Sequence, residues 1–314
     1  MSDAQISLCI PAYKAEHCLP VILESALGQT KPFREIFVCV DACPGDTAAI
    51  ARNFPVKVIV NDVNQGCSAS KNNALAEVTT EWVHFHDADD LLCPDFVEEA
   101  SLVIKQKEVD VIAMGYEYVD RTTSKLIARS SYDRDGLERD PVRYCIINKI
   151  PNFAVYRTLR LKEVGGFDLD PLILYNEDVA FHLKLATAGF RFTASNKVTS
   201  INYRYENSMS QTNQLKCARA HFEVMKRNAE LVGCKYGQEI ATKLWEVAGH
   251  LVMYNENEIA IEAIKLAQTL DSRNALGQSL SLRLACGVIG PVRAYRLREF
   301  LVRKLKPQLR PNVG

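Results

Sequence analysis

The stretch EWVHFHDADD, residues 81–90, runs an apolar strand pattern straight into a crowd of carboxylates. Trp82, Val83 and Phe85 read as a buried strand, and Asp87, Asp89 and Asp90 follow within four positions. Like charges this close repel and raise one another's pKa unless a cation or a hydrogen-bond network compensates. Three explanations compete: a metal site, an acidic turn in solvent, or a helix cap. The alternation in Asp87-Ala88-Asp89 can turn two carboxylates toward one oxygen-preferring divalent cation. Asp90 and Asp95 are the candidates to cap the helix expected over 96–105.

The surroundings of this strand decide the fold class. Apolar runs recur at 6–13, 35–41, 56–61, 81–86 and 109–118, and helical spacing fills roughly 16–29, 46–54, 68–76 and 94–107 between them. Near-continuous apolar strands alternating with helices imply an α/β fold, a mainly parallel sheet covered on both faces. Ligands of such sheets bind beyond the carboxyl ends of the strands. Tyr13, Asp41, Asn61 and Asp87 stand at four successive ends, so the chemistry is expected at that edge. Residues 119–150 read as loops and a short helix. After them come a strand, a short helix, the Gly165-Gly166 turn, a loop, a helix and two strands. From about 211 the pattern is helical, with a break over Gly287–Pro291. The expected domains are 1–210 and 211–314.

Composition narrows the function classes. Thirty-eight basic and 38 acidic residues give a formal net charge of +0, so no global field points to nucleic acid. No apolar run approaches a membrane span and no basic leader precedes an apolar stretch, which gives an expected cytoplasmic location. Ten cysteines are scattered without a Cys-x-x-Cys pair, and most are expected to be buried small hydrophobes. No phosphate-binding Gly-x-x-x-x-Gly-Lys-Ser/Thr loop and no Gly-x-Gly-x-x-Gly turn occurs. His84 and His86 lack the His-x-His-x-Asp-His continuation of a metallo-hydrolase and read as partly buried, with His86 near the acidic run. Asn64-Gln65-Gly66 before a helix start, with Lys71 inside it, could meet a phosphate, or could equally be a plain turn and a solvated lysine. Glu177-Asp178 opens a helix; dipole complementation is the plain reading, and a general base facing the cleft is the functional one.

Taken in order, these residues resemble the family 2 glycosyltransferases of the GT-A fold over roughly 5–210. The resemblance rests on Ile10-Pro11-Ala12-Tyr13, Val40-Asp41 with Asp46-Thr47, Asn64-Gln65-Gly66 with Lys71-Asn72, and Asp87-Ala88-Asp89-Asp90. It continues through Gly165-Gly166-Phe167-Asp168, Glu177-Asp178, and Tyr203-Arg204 with Ser208 and Ser210. It implies a nucleotide-sugar-binding, Rossmann-like mixed sheet, and inverting transfer of a sugar from a nucleoside diphosphate, a UDP-sugar, to a glycan or lipid-linked acceptor. By that resemblance Asp89 holds Mn2+ or Mg2+ and Asp178 is the catalytic base. Pro11, Tyr13, Asp41, Lys71, Asp87, Glu177 and Arg204 bind the donor. The chain departs from the family pattern at Lys14, at Ala42 in place of a second acid, at Lys71 in place of arginine, and at Glu206 near a usual histidine. Those departures motivate a rival reading, a non-catalytic nucleotide-sugar-binding or scaffold protein on the same fold.

The C-terminal part lies outside the resemblance. Over 291–314 seven basic residues face one acid, Glu299, and Ala294, Leu297, Leu301 and Leu305 project onto one helical stripe. The stripe would pack against the protein or rest on the inner face of an anionic membrane.

Overall fold

A computed structural model describes residues 4–205 and 212–306. Nine strands among them form a curled mixed sheet: β1 (Ile6–Ala12), β2 (Glu35–Val40), β3 (Lys57–Val60), β4 (Trp82–Phe85), β5 (Leu91–Leu92), β6 (Val111–Asp120), β7 (Leu126–Arg129), β8 (Ala154–Arg157) and β9 (Phe192–Arg204). Their order is β3-β2-β1-β4-β8-β6-β9-β5, with β7 paired to β6. The first four strands are parallel, as their apolar runs predict. β8 then enters antiparallel between β4 and β6, while β6 and β9 run parallel to each other.

Helices α1 (Leu19–Leu27), α2 (Thr47–Ala51), α3 (Cys67–Glu77) and α4 (Phe96–Gln106) fill the predicted connections. Leu8, Ile10, Val38, Trp82 and Ile112 of the strands pack with Leu19, Ile22 and Leu23 of α1 and Phe96 of α4 in one core. Removing these side chains from water is the main favourable term for this part of the chain. Pro11, which has no N–H to give a ladder, sits where β1 has already outrun its pairing with β4, which ends at Cys9.

Several expectations need correction. The two strands anticipated after the 177–187 helix are one strand, β9, whose register against β6 slips between Ala194 and Val198. The slip needs Gly115, because a Cβ there would stand 2.3 Å from the Lys197 carbonyl oxygen. The 119–150 segment holds more structure than loops and one helix: the end of β6, then β7, α5 (Arg134–Arg139) and α6 (Pro141–Ile147). Only four of the ten cysteines are buried, all ten are free, and Cys234 is exposed. Asp95 stands at the N-cap of α4 without a side-chain cap bond; its carboxylate pairs with Lys197 at 2.8 Å instead.

The remaining elements are α7 (Thr158–Glu163), a 3-10 turn (Pro171–Asn176), α8 (Glu177–Thr187), α9 (Gln214–Met253), α10 (Asn257–Leu270), α11 (Leu280–Ile289) and α12 (Pro291–Leu305). Contacts divide the chain into two units. The first comprises 1–145, 149–169 and 177–208; the second comprises 146–148, 170–176 and 209–314. In the second unit α9 carries a non-helical residue at Tyr236 and packs along α10. Helices α11 and α12 meet at Gly290, whose φ of 81° turns the chain sharply. Tyr295 of α12 stacks on Trp245 and donates its hydroxyl to the Trp245 carbonyl at 2.7 Å. Gly249 leaves room for it, since a Cβ there would lie 2.8 Å from the tyrosine ring. The predicted stripe on this helix is therefore split. Ala294 is buried beside Tyr295, whereas Leu297, Leu301 and Leu305 face solvent.

Candidate active site

The carboxyl ends of β1 to β4 carry the predicted residues. Tyr13, just past β1, presents about half its surface to solvent, with the Lys14 ammonium 5.2 Å from its ring centroid. Asp41, just past β2, is buried and faces its own loop. Its Oδ1 accepts from Asn61 Nδ2 and Gln65 N, both at 2.9 Å, and its Oδ2 accepts from Gly66 N at 2.7 Å. Asp41 thus shapes the Asn64-Gln65-Gly66 turn that starts α3. Gly66 takes φ 88° there, a conformation that β-carbons resist.

The three carboxylates after β4 fall into three environments. Asp87 is partly exposed and pairs through Oδ1 with Lys71 Nζ at 3.2 Å. Asp89 is half-buried, and its Oδ2 accepts the Tyr205 hydroxyl at 2.8 Å. Burial and the neighbouring Asp87 raise its pKa. Asp90 is buried and is no helix cap: it accepts from Asn202 Nδ2 at 2.7 Å and Tyr203 N at 3.2 Å, tying the acidic turn to β9. Burial, then Asp87 and Asp89, hold it well above the usual carboxylate range. His84 and His86 are wholly buried and bond to each other at 3.0 Å, so neither lines a surface. Burial keeps both neutral, and His86 is pushed down to about 3.

Lys71 is the buried surprise. A solvated lysine was one expectation, yet only 1% of it is exposed, and its ammonium lies 5.4 Å from the Phe167 ring centroid. Burial alone would lower its pKa; Asp87, Cys67 and Glu177 outweigh that and raise it, so it stays charged. Glu177, at the start of α8, is pushed up to about 7, first by burial and then by Asp178, with Lys71 opposing and Asp87 adding. Asp87, Lys71 and Glu177 thus influence one another within one neighbourhood, in which Lys71 is buried and Asp87 is partly exposed.

A side-chain clamp brings α8 to that neighbourhood. Asn72 Nδ2 donates to the Phe167 carbonyl at 2.9 Å, and Phe167 N donates back to Asn72 Oδ1 at 2.8 Å. Gly165 and Gly166 turn the chain with φ of 74° and 64°. The Phe167 ring then stacks on Phe181 of α8 at 3.7 Å between centroids. Asp178 is fixed in turn: Oδ1 accepts from Val179 N at 2.9 Å, and Oδ2 pairs with Lys149 at 3.0 Å. His182 Nδ1 bonds the Asp178 carbonyl at 2.7 Å and its Nε2 meets the Tyr156 hydroxyl at 2.9 Å. Burial pushes His182 down to about 4, so it holds the helix as a neutral ring.

Arg204 lies at the end of β9 with its guanidinium 4.0 Å from the Tyr118 ring centroid, and Arg121 lies over Tyr203 and Tyr205. Glu206, Ser208 and Ser210 are outside the described residues. Two site-forming residues carried no motif. Lys149 lies near the end of the 119–150 segment, read as loops and a short helix, and only adjacency to Tyr203-Arg204 could have singled out Tyr205.

Among the described residues no three His, Cys, Asp or Glu side chains converge as a protein-only metal cage. Asp89 instead offers one carboxylate, with that of Asp87 two positions before it. That donor set fits a hard divalent cation that takes its other oxygens from a diphosphate and water.

The sequence profile of Glycosyl transferase family 2 matches residues 7–166, just over half of the chain. An uncharacterized glycosyltransferase of Haemophilus influenzae is 28% identical over 195 residues, covering 57% of this chain and 61% of its own length. The Escherichia coli UDP-Glc:alpha-D-GlcNAc-diphosphoundecaprenol beta-1,3-glucosyltransferase WfgD is 22% identical over 238 residues, covering 74% of this chain and 87% of its own. Among solved structures, Staphylococcus aureus TarS residues 1–349 in complex with UDP-GlcNAc superposes with a TM-score of 0.72 at 21% identity, over 96% of this chain and 92% of that one. At that identity the likeness shows the fold.

Proposed function

The chain belongs to glycosyl transferase family 2, and on that footing we propose that it moves a sugar from a UDP-sugar to an acceptor hydroxyl with inversion. The observation that carries this reading is the shared neighbourhood of Asp87, Lys71 and Glu177 at the strand-end edge, with Asp178 next in sequence to Glu177. A diphosphate needs positive charge in a protected place, and a sugar hydroxyl needs a fixed acceptor for its proton.

The roles follow from the contacts. Pro11, Tyr13 and Asp41 border the nucleoside, Asp41 by shaping its loop. Lys71 supplies buried positive charge, and Arg204 supplies a second cation at the β9 end. Asp87 and Asp89 face the diphosphate, and Asp89 would hold Mn2+ or Mg2+, which when bound offsets charge on the departing diphosphate. Glu177 meets a donor hydroxyl. Asp178 takes the proton from the acceptor as its oxygen bonds to the anomeric carbon and the bond to the diphosphate breaks. Attack from the face opposite the leaving group inverts the anomeric centre. The acceptor is a glycan or a lipid-linked sugar. The WfgD name, which pairs a UDP-sugar with a diphosphoundecaprenol-linked acceptor, supports both ends of this reading.

The test is calorimetric titration of UDP and of GDP, each with and without manganese, into wild type and Asp89→Ala. Metal-dependent binding of UDP that the substitution abolishes supports the donor site. Binding of neither nucleotide by folded protein would overturn it. UDP-sugar hydrolysis lost in Asp178→Asn would separate an enzyme from a scaffold that binds without turnover.

A further inference from the structure

Helices α11 and α12 leave a second apolar stripe uncovered. On α11 the buried positions are Leu282 and Cys286, four residues apart. Leu280, Leu284 and Val288, also four apart, form a separate face, and Val288 is 85% exposed. On α12, Ala294 and Tyr295 pack inward, while Leu297, Phe300, Leu301 and Leu305 point to solvent. A soluble surface rarely gathers this many large apolar side chains on two adjacent helices without an occupant.

The charge around the stripe says which occupant. Between 280 and 306 stand seven basic residues and one acid, Glu299, which is paired with Arg303 at 2.9 Å. A second copy of the chain would have to bring this strongly basic face against itself, a like-charge contact that costs binding. Nucleic acid would match the charge and leave the leucines and Phe300 without a partner. An anionic bilayer satisfies both: acyl chains take the apolar side chains, and headgroups take exposed basic side chains such as Arg293 and Lys304, while Arg296 and Arg303 bond Asn257 and the Met253 carbonyl within the protein. Neither helix can span. The ten residues of α11 and the fifteen of α12 reach about 15 and 22 Å at the helical rise, against a hydrocarbon core of about 30 Å.

We infer that the face of α11 and α12 bearing Leu284, Val288, Leu297, Phe300 and Leu301 docks in the plane of an anionic phospholipid surface. Of the two alternatives the sequence leaves for the last helix this is the membrane one, extended to α11 through Leu284 and Val288, which lie outside the stripe on α12. The inference stands apart from the donor site, because lipid binding is measured without nucleotide.

The experiment is flotation of the full chain with vesicles of phosphatidylglycerol and phosphatidylethanolamine, and separately with phosphatidylcholine alone. The expected result is binding to the anionic vesicles at least about tenfold tighter than to the neutral ones, weakening as salt rises. Leu284→Glu with Val288→Glu, and separately Arg293→Glu with Lys304→Glu, are each expected to weaken anionic binding by about tenfold or more. These positions are exposed, so unchanged circular dichroism and melting temperature would show that the variants are folded. Equal binding to both lipids, no binding by wild type, or variants that bind like wild type would each overturn the proposal. So would a wild-type dimer in solution that Val288→Glu converts to monomer without any lipid binding.

Discussion

Lys149 Nζ lies 3.0 Å from Asp178 Oδ2, so the proposed base is held from the side by a lysine that no motif marks. The Asp178 carboxylate in turn holds Lys149 above the usual lysine range. With Oδ1 engaged by Val179 N, both oxygens have a fixed direction before any acceptor arrives. Lys149→Met is expected to lower kcat on the order of tenfold to a hundredfold, with the UDP dissociation constant unchanged, because it loosens the base and leaves the donor residues alone. Lys149→Arg is expected to recover part of the loss. A loss of UDP affinity with kcat intact would place Lys149 on the donor side instead.

Glu177 gives a pH prediction with a definite sign. Its carboxyl titrates near 7 in the folded chain against 4.5 as the ordinary value. Below 4.5 both folded and unfolded chains hold the proton, and Glu177 makes no difference. Between 4.5 and 7 the unfolded chain releases the proton first, so folding stability falls as pH rises through that window. Glu177→Gln is therefore expected to gain about 1–3 kcal/mol over wild type at pH 8 compared with pH 4. Urea unfolding at the two pH values measures it, and an equal difference at both would refute the buried, raised carboxyl.

The Asn72–Phe167 clamp predicts coupled losses. Asn72→Ala removes two hydrogen bonds and leaves buried backbone groups unmatched, costing about 2–4 kcal/mol. Gly166→Ala forces a Cβ to 2.3 Å from Asn72 Oδ1 at a φ of 64°, and is expected to cost at least as much. The double variant should lose less than the sum, because the clash disappears with the asparagine side chain. Strict additivity in a denaturant cycle would argue against the clamp.

Tyr205 orients Asp89 through one hydroxyl. Tyr205→Phe is expected to weaken manganese-dependent UDP binding by about tenfold while leaving metal-free UDP binding as it was. Calorimetry with and without metal reads both, and an equal change in the two would assign the effect to general loosening of the β9 end.

The parallel half of the sheet was legible because each of its strands is a local apolar run followed by a turn, as in 6–13 or 81–86. So was the edge that carries the polar residues, which follows from strand direction. The place of β8 was not: its apolar composition resembles that of its neighbours, and only long-range pairing inserts it between β4 and β6. Nor could residue types tell that Lys71 is buried, since nothing in 68–73 reveals the Asp87 and Glu177 that stabilise it there. Lys149 follows the short apolar run Tyr144–Ile147, and nothing in that run reveals the Asp178 with which it pairs. On α12, periodicity found apolar positions but not which of two stripes turns inward, a choice that the Trp245–Tyr295 stack makes. The three aspartates were visible as a crowd; their sorting into an ion pair, a tyrosine contact and a buried tie to β9 depends on residues more than a hundred positions away for two of them.

The clamp between Asn72 and Phe167 spans 95 residues of chain, and that separation sets an order of events during synthesis. The β1 to β4 ladder can close once about residue 90 has emerged, but α3 must wait for 165–168 before its outer face is covered. The sheet must wait longer still for β9, which flanks β6 and receives the buried Asp90. A nascent chain halted in between would hold the β1 to β4 ladder without β9 or α8 beside it, and would expose apolar surface to neighbouring chains. The strand-end edge of β1 to β4 is thus translated first, and the segment carrying Glu177, Asp178 and Arg204 arrives as its closing piece.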